Sequence, residues 1–96
     1  MIYEEYIDSL KDELPPREIN EVLSALWWDS KGNWDKAHVI VQNIKDWKGS
    51  WVHAYLHRKE GDIWNAEYWY SKAGKNRPEI SLDNEWSELV NYFCNK

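Results

Sequence analysis

The sequence predicts an all-α fold of about six helices, and three observations carry that prediction. Apolar residues recur at helical spacing in successive segments. Single glycines, most of them followed by a capping residue, punctuate those segments. No run of alternating β-branched residues marks a strand.

Helix one is expected over 3–13, where Tyr3, Tyr6, Ile7 and Leu10 fall at i, i+3, i+4 and i+7. Pro15-Pro16 ends it, because proline disfavours helix at the residue before it. Helix two is expected over 17–31, with Ile19, Val22, Leu23, Leu26 and Trp27 on its buried face. Gly32 supplies the left-handed residue past its end and Asn33 caps helix three, over 34–46, whose face is Ala37, Ile40, Val41 and Ile44. Gly49-Ser50 reads as a break, with Ser50 capping helix four over 51–60. Gly61 ends that helix and Asp62 caps helix five, over 63–73, which presents Ile63, Ala66, Tyr70 and Ala73 on one side. Gly74 closes it, and a loop around Pro78 follows. Ser81 caps a last helix over 82–94, with Leu82, Trp86, Leu89, Val90 and Phe93 inward.

Ninety-six residues make one domain, 1–96. Eight Trp, six Tyr and one Phe give that domain a core beyond its length, since each large ring can bury about 150–250 Å². Charge is uneven within a net −5. Residues 1–21 hold seven acids against Lys11 and Arg17, while residues 31–77 hold nine bases against five acids. The acidic balance argues against nucleic acid, whose phosphates call for clustered Lys and Arg. Cys94 is the one cysteine, so no intrachain disulfide forms. The N-terminus lacks a basic region followed by an apolar run, and apolar runs reach about four residues against the roughly 20 of a membrane span. A cytoplasmic protein with no membrane partner is expected.

The most specific feature is a self-match at an offset of 29 residues. The segment from Ala25 to Ala37 aligns with that from Ala54 to Ala66. In each, a small Ala precedes a Gly-Asn or Gly-Asp turn by seven residues and a second Ala follows the Gly by five. Small residues let two helices approach, Gly takes positive φ at the turn, and Asn or Asp caps the next helix. This pattern resembles the tetratricopeptide (TPR) repeat. Ala54, Gly61, Asp62, Ala66, Tyr70, Ala73 and Pro78 stand where that family places small, turn, capping, small, aromatic, small and proline residues. The units cover about 18–46 and 47–79, with capping helices about 3–13 and 82–94. In the first unit Val41 replaces the aromatic and Ile44 the later Ala, and the 29-residue spacing is short of the family's 34. The resemblance implies antiparallel helix pairs stacked as a short right-handed α-α superhelix. The stretch from His53 to Gly74 is also similar to a family of uncharacterised proteins, a resemblance that implies no activity.

In TPR proteins the first helix of each pair lines a groove. The resemblance therefore implies a partner-binding face of Trp51, Tyr55 and Arg58 from helix four, with Val22, Leu26 and Asp29 from helix two. Trp51, Tyr55 and Arg58 share a stripe at i, i+4 and i+7 on any helical reading. Trp27, Ile63, Trp86 and Trp34 fit core faces, while Trp28, Trp51, Trp64 and Trp69 fall at the margins of the apolar stripes.

His53 and His57, four apart, have the spacing of a helical metal pair and would need a third ligand, His38 or Glu60. The Glu beside the first His in zinc-protease helices is replaced by Ala54, and the repeat puts His57 where Trp28 stands. Both histidines are therefore expected to be packing residues, with a metal site as the alternative. Cys94 lies at a helix C-terminus, which opposes a thiolate. Asp29 and Glu60 sit near turns in no acid–base setting, and no glycine-rich phosphate loop occurs. The expected function is a non-catalytic protein-interaction module that needs no cofactor and binds a peptide or a second copy of itself. A metal- or small-ligand enzyme using His53 and His57, and a structural part of a larger assembly, are the alternatives.

Overall fold

The computed structural model describes residues 1–95. Among these, six helices form and no strand. They are α1 Tyr3–Ser9, α2 Glu21–Ser30, α3 Trp34–Gln42, α4 Trp47–Glu60, α5 Ile63–Ala73 and α6 Leu82–Cys94. The all-α class predicted from the sequence is what the chain adopts.

The last two helices start where local chemistry dictates. The Asp62 side chain accepts from the Asn65 amide at the head of α5, and Ser81 accepts from the Asn84 amide at the head of α6. The two glycine turns repeat each other. Gly32 and Gly61 hold φ of 86° and 90°. Beyond them the Asn33 amide donates to the Trp28 carbonyl and the Asp62 amide to the His57 carbonyl, each at 2.9 Å. The Asn33 side chain caps the Lys36 amide as Asp62 caps Asn65.

Four boundaries differ from expectation. α1 stops at Ser9 because the Leu10 and Asp12 carbonyls accept from the Lys31 ammonium at 2.6 and 2.9 Å. α2 starts at Glu21, since the Asn20 side chain accepts from the Leu23 amide and caps the helix there. α3 ends at Gln42, and Asn43 takes the C-cap. α4 begins at Trp47, capped by the Asp46 carboxylate on the Lys48 and Gly49 amides. Gly49-Ser50 is therefore not a break. Gly49 lies inside the first turn of α4, where Ile44 crosses so closely that a Cβ would stand 2.5 Å from the Ile44 carbonyl oxygen.

α4 is the central helix, packed on α2, α3, α5 and α6. The main core joins Tyr6 of α1, Leu23, Leu26 and Trp27 of α2, Val41 of α3, Val52 and Leu56 of α4, and Leu89, Val90 and Phe93 of α6. Its aromatic polar heads are satisfied. Tyr6 Oη donates to the Leu23 carbonyl, Trp27 Nε1 to Ser9 Oγ, and Trp86 Nε1 to the Leu26 carbonyl. A separate small cluster of Ala54, Ala66 and Tyr70 fixes α5 to α4. Those alanines permit the close approach that the repeat pattern implied. Two expected inward residues point out instead: Ile7 and Ile63 are exposed. No helix of the described residues is long and apolar enough to cross a membrane.

Candidate functional site

The expected partner-binding stripe is closed by the chain's own last helix. α6 is strongly amphipathic, and its Leu89, Val90 and Phe93 must leave water. The face of α2 and α4 covers them. Leu26 and Tyr55 are consequently buried in the core, and Trp51 is half-buried against Tyr92 and Phe93, with ring centroids 5.2 and 5.6 Å away. The charged members are spent internally. Asp29, 1% exposed, accepts from Tyr55 Oη at 3.0 Å and from the Lys59 ammonium at 2.9 Å. Arg58 donates to Glu85 of α6 at 2.7 Å and to the Ile80 carbonyl. Glu85 also accepts from Tyr70 Oη. Burial, with these carboxylates beside them, pushes the hydroxyls of Tyr55 and Tyr70 well above the ordinary tyrosine range. Trp51, Tyr55, Arg58, Asp29 and Leu26 thus lie along an intramolecular seam, which keeps a pocket of about 320 Å³ beside Asp29, Tyr55 and Lys59.

A second constellation is built where α3 crosses α4. His38 of α3 meets His53 and His57, one turn apart on α4. The Nε2 atoms of His38 and His53 lie 2.9 Å apart, so one ring donates its N–H to the other's lone pair. One ring nitrogen from each of the three histidines falls within 4.8 Å of the others. Indoles position the rings. His53 stacks on Trp69 at 3.9 Å and 15°, and His38 stacks on Trp34 at 4.9 Å and 9°. Trp34 is anchored by its Nε1 on the Leu56 carbonyl. His57 Nδ1 lies 2.6 Å from Glu60 Oε1.

Burial disfavours the charged form of two of these rings. Burial, followed by the neighbouring His38 and His57, pushes His53 down to about 3. His38 is lowered as well, first by burial and then by His57. Neutral imidazoles with free lone pairs are the metal-ligating form of histidine. The sequence spacing brought out His53 and His57, but only the crossing of α3 over α4 delivers His38.

The third feature is a surface that the sequence reading did not assemble. On the outer side of α5, Trp64 is 82% exposed and Tyr68, one turn on, is 50% exposed. Ile63 adjoins them in sequence, and the Lys72 ammonium stands 5.6 Å from the Tyr68 ring. The signal was the i, i+4 aromatic pair on the face opposite Ala66, Tyr70 and Ala73. Cys94 sits in the last turn of α6, where burial pushes its thiol up, away from thiolate chemistry. No protein-family model, curated protein or solved structure matches the chain.

Proposed function

We propose that this chain is a protein-interaction module of two TPR-like helix pairs that associates with a second copy of itself through the outer face of α5. The exposure of Trp64 carries this reading. An indole left in water one turn from an exposed tyrosine is the kind of residue that dominates interface energetics. A peptide along the inner face of α2 and α4 is less favoured, because α6 packs on that face. Trp64 and Tyr68 lie one turn apart on one helix, a spacing that suits helix-on-helix packing. A twofold pairing would set the same stripe against itself.

The magnitudes point to a weak complex. Trp64 and Tyr68 offer about 150–250 Å² each at most, which places the pair near or below the low end of about 1,200 Å² for stable interfaces. Dissociation constants of about 1 μM to 1 mM are expected. Sedimentation velocity over that concentration range tests the reading. Wild type should sediment progressively faster with concentration, whereas Trp64→Ala/Tyr68→Ala should stay monomeric with its helical circular dichroism unchanged. A wild-type monomer throughout, or equal association of the double variant, would sink it.

A further inference from the structure

We propose that His38, His53 and His57 form a binding site for one borderline divalent transition ion per chain, zinc being the type. The site lies where α3 crosses α4, with Trp69 of α5 stacked on His53, and does not depend on self-association.

Two features of the rings favour a metal over simple packing. Buried histidines in a packed core ordinarily send their ring nitrogens to backbone carbonyls or carboxylates. Here one nitrogen of each ring faces the others, with two Nε2 atoms 2.9 Å apart and one ligand atom from each of the three rings within 4.8 Å. Ligands about 2.0–2.1 Å from a tetrahedral zinc lie about 3.3 Å from each other, so small side-chain rotations close the set.

His57 provides the second feature. A carboxylate only accepts, so the 2.6 Å contact with Glu60 places the proton of a neutral His57 on Nδ1 and leaves the Nε2 lone pair outward. A carboxylate behind the far nitrogen is the arrangement that orients metal-bound imidazoles and raises their basicity. Asn65 Nδ2, 3.4 Å from that Nε2, is too distant to hold it firmly. Ion binding replaces the His38–His53 N–H···N contact by two metal–nitrogen bonds, the shared proton moving to Nδ1 of the ring that carried it.

The donor set selects the ion. Three neutral imidazoles suit Zn²⁺, Co²⁺, Ni²⁺ and Cu²⁺ and are a poor cage for Ca²⁺ or Mg²⁺, which take oxygen ligands. Three protein ligands leave a fourth position for water or an anion. His53 also lines a cleft of about 220 Å³ together with Lys45 and Lys72. A second set, His57 with Glu60 and Asp62, shares one ligand with the first. It would use Nδ1 of His57, the atom already given to Glu60, and its carboxylates are solvent-exposed.

The test uses tag-free full-length protein stripped by a chelator. Zn²⁺ alone is titrated by calorimetry and Co²⁺ alone by visible absorption. One equivalent per chain and intense tetrahedral-type cobalt bands, bleached by zinc, are expected. Glu60→Gln should weaken zinc by about 10–100-fold, and His38→Ala by more. Asp62→Asn should leave affinity unchanged. Circular dichroism checks that each variant folds. If His38→Ala does not fold, the wild-type cobalt spectrum and Glu60→Gln decide. The proposal is overturned by no saturable binding, by weak octahedral-type cobalt bands, or by a folded His38→Ala variant with wild-type affinity.

Discussion

Gly49 shows how one hydrogen in place of a methyl group positions a helix. The Ile44 carbonyl and side chain cross the first turn of α4 so closely that Cβ would stand 2.5 Å from the oxygen and 2.6 Å from Ile44 Cβ. Two effects oppose each other in Gly49→Ala. Alanine gains about 1 kcal/mol of helix propensity over glycine. Overpacking costs about 1–3 kcal/mol, and the cost falls toward the upper end because the obstructing atom is backbone and cannot rotate away. Gly49→Ala is therefore expected to destabilise by about 1–2 kcal/mol, read as a lower urea midpoint with an unchanged slope. The sign is diagnostic. A glycine that only sat in the helix, with no close neighbour, would give a more stable alanine variant.

At the scale of elements, the parts that the sequence revealed are those whose causes lie within a few residues. α5 and α6 begin and end where expected because Asp62, Gly74 and Ser81 act on their own helix ends. Gly49-Ser50 misled because a close-approach glycine and a turn glycine look alike in sequence, and only the path of Ile44 distinguishes them. His53 and His57 were legible as an i, i+4 pair, whereas their meeting with His38 depends on a helix crossing. The seam over Trp51, Tyr55 and Arg58 was not legible, because it depends on where α6 docks. Glu85 fixes that docking. Its carboxylate, 3% exposed, accepts from Arg58 of α4 and Tyr70 of α5, tying three helices at one point. Glu85→Gln keeps the shape and removes the charge, leaving Arg58 uncompensated. Breaking a buried pair costs about 3–5 kcal/mol, and the lower end applies because Arg58 retains the Ile80 carbonyl and some solvent. Chemical denaturation should show that loss. Arg58→Met/Glu85→Gln should lose less than the sum of its single variants, giving a double-mutant coupling above about 1 kcal/mol. Additive losses would mean that the two side chains do not act as a pair.

Across the whole molecule, cover is distributed unequally. The main core draws on α1, α2, α3, α4 and α6, whereas α5 packs on α4 alone, through Ala54, Ala66 and Tyr70. A side-chain tie to α6 is the Tyr70–Glu85 hydrogen bond. Local stability follows buried contact, so α5 should open without unfolding the rest. Hydrogen exchange on dilute protein is expected to show α5 amides exchanging through a sub-global opening, and those of α2, α4 and α6 only through global unfolding. Uniform protection across the six helices would contradict this. α5, which packs on a single helix, also carries Trp64 and Tyr68 outward. If a second copy supplies the missing cover, protection of α5 must rise with protein concentration while that of α2 and α6 stays constant. Protection of α5 that ignores concentration would separate its local weakness from self-association. The histidine cluster adds an independent handle, since His53 stacks on Trp69 of α5. An ion that orders His53 should slow exchange in α5 at any protein concentration, which separates its effect from that of a partner.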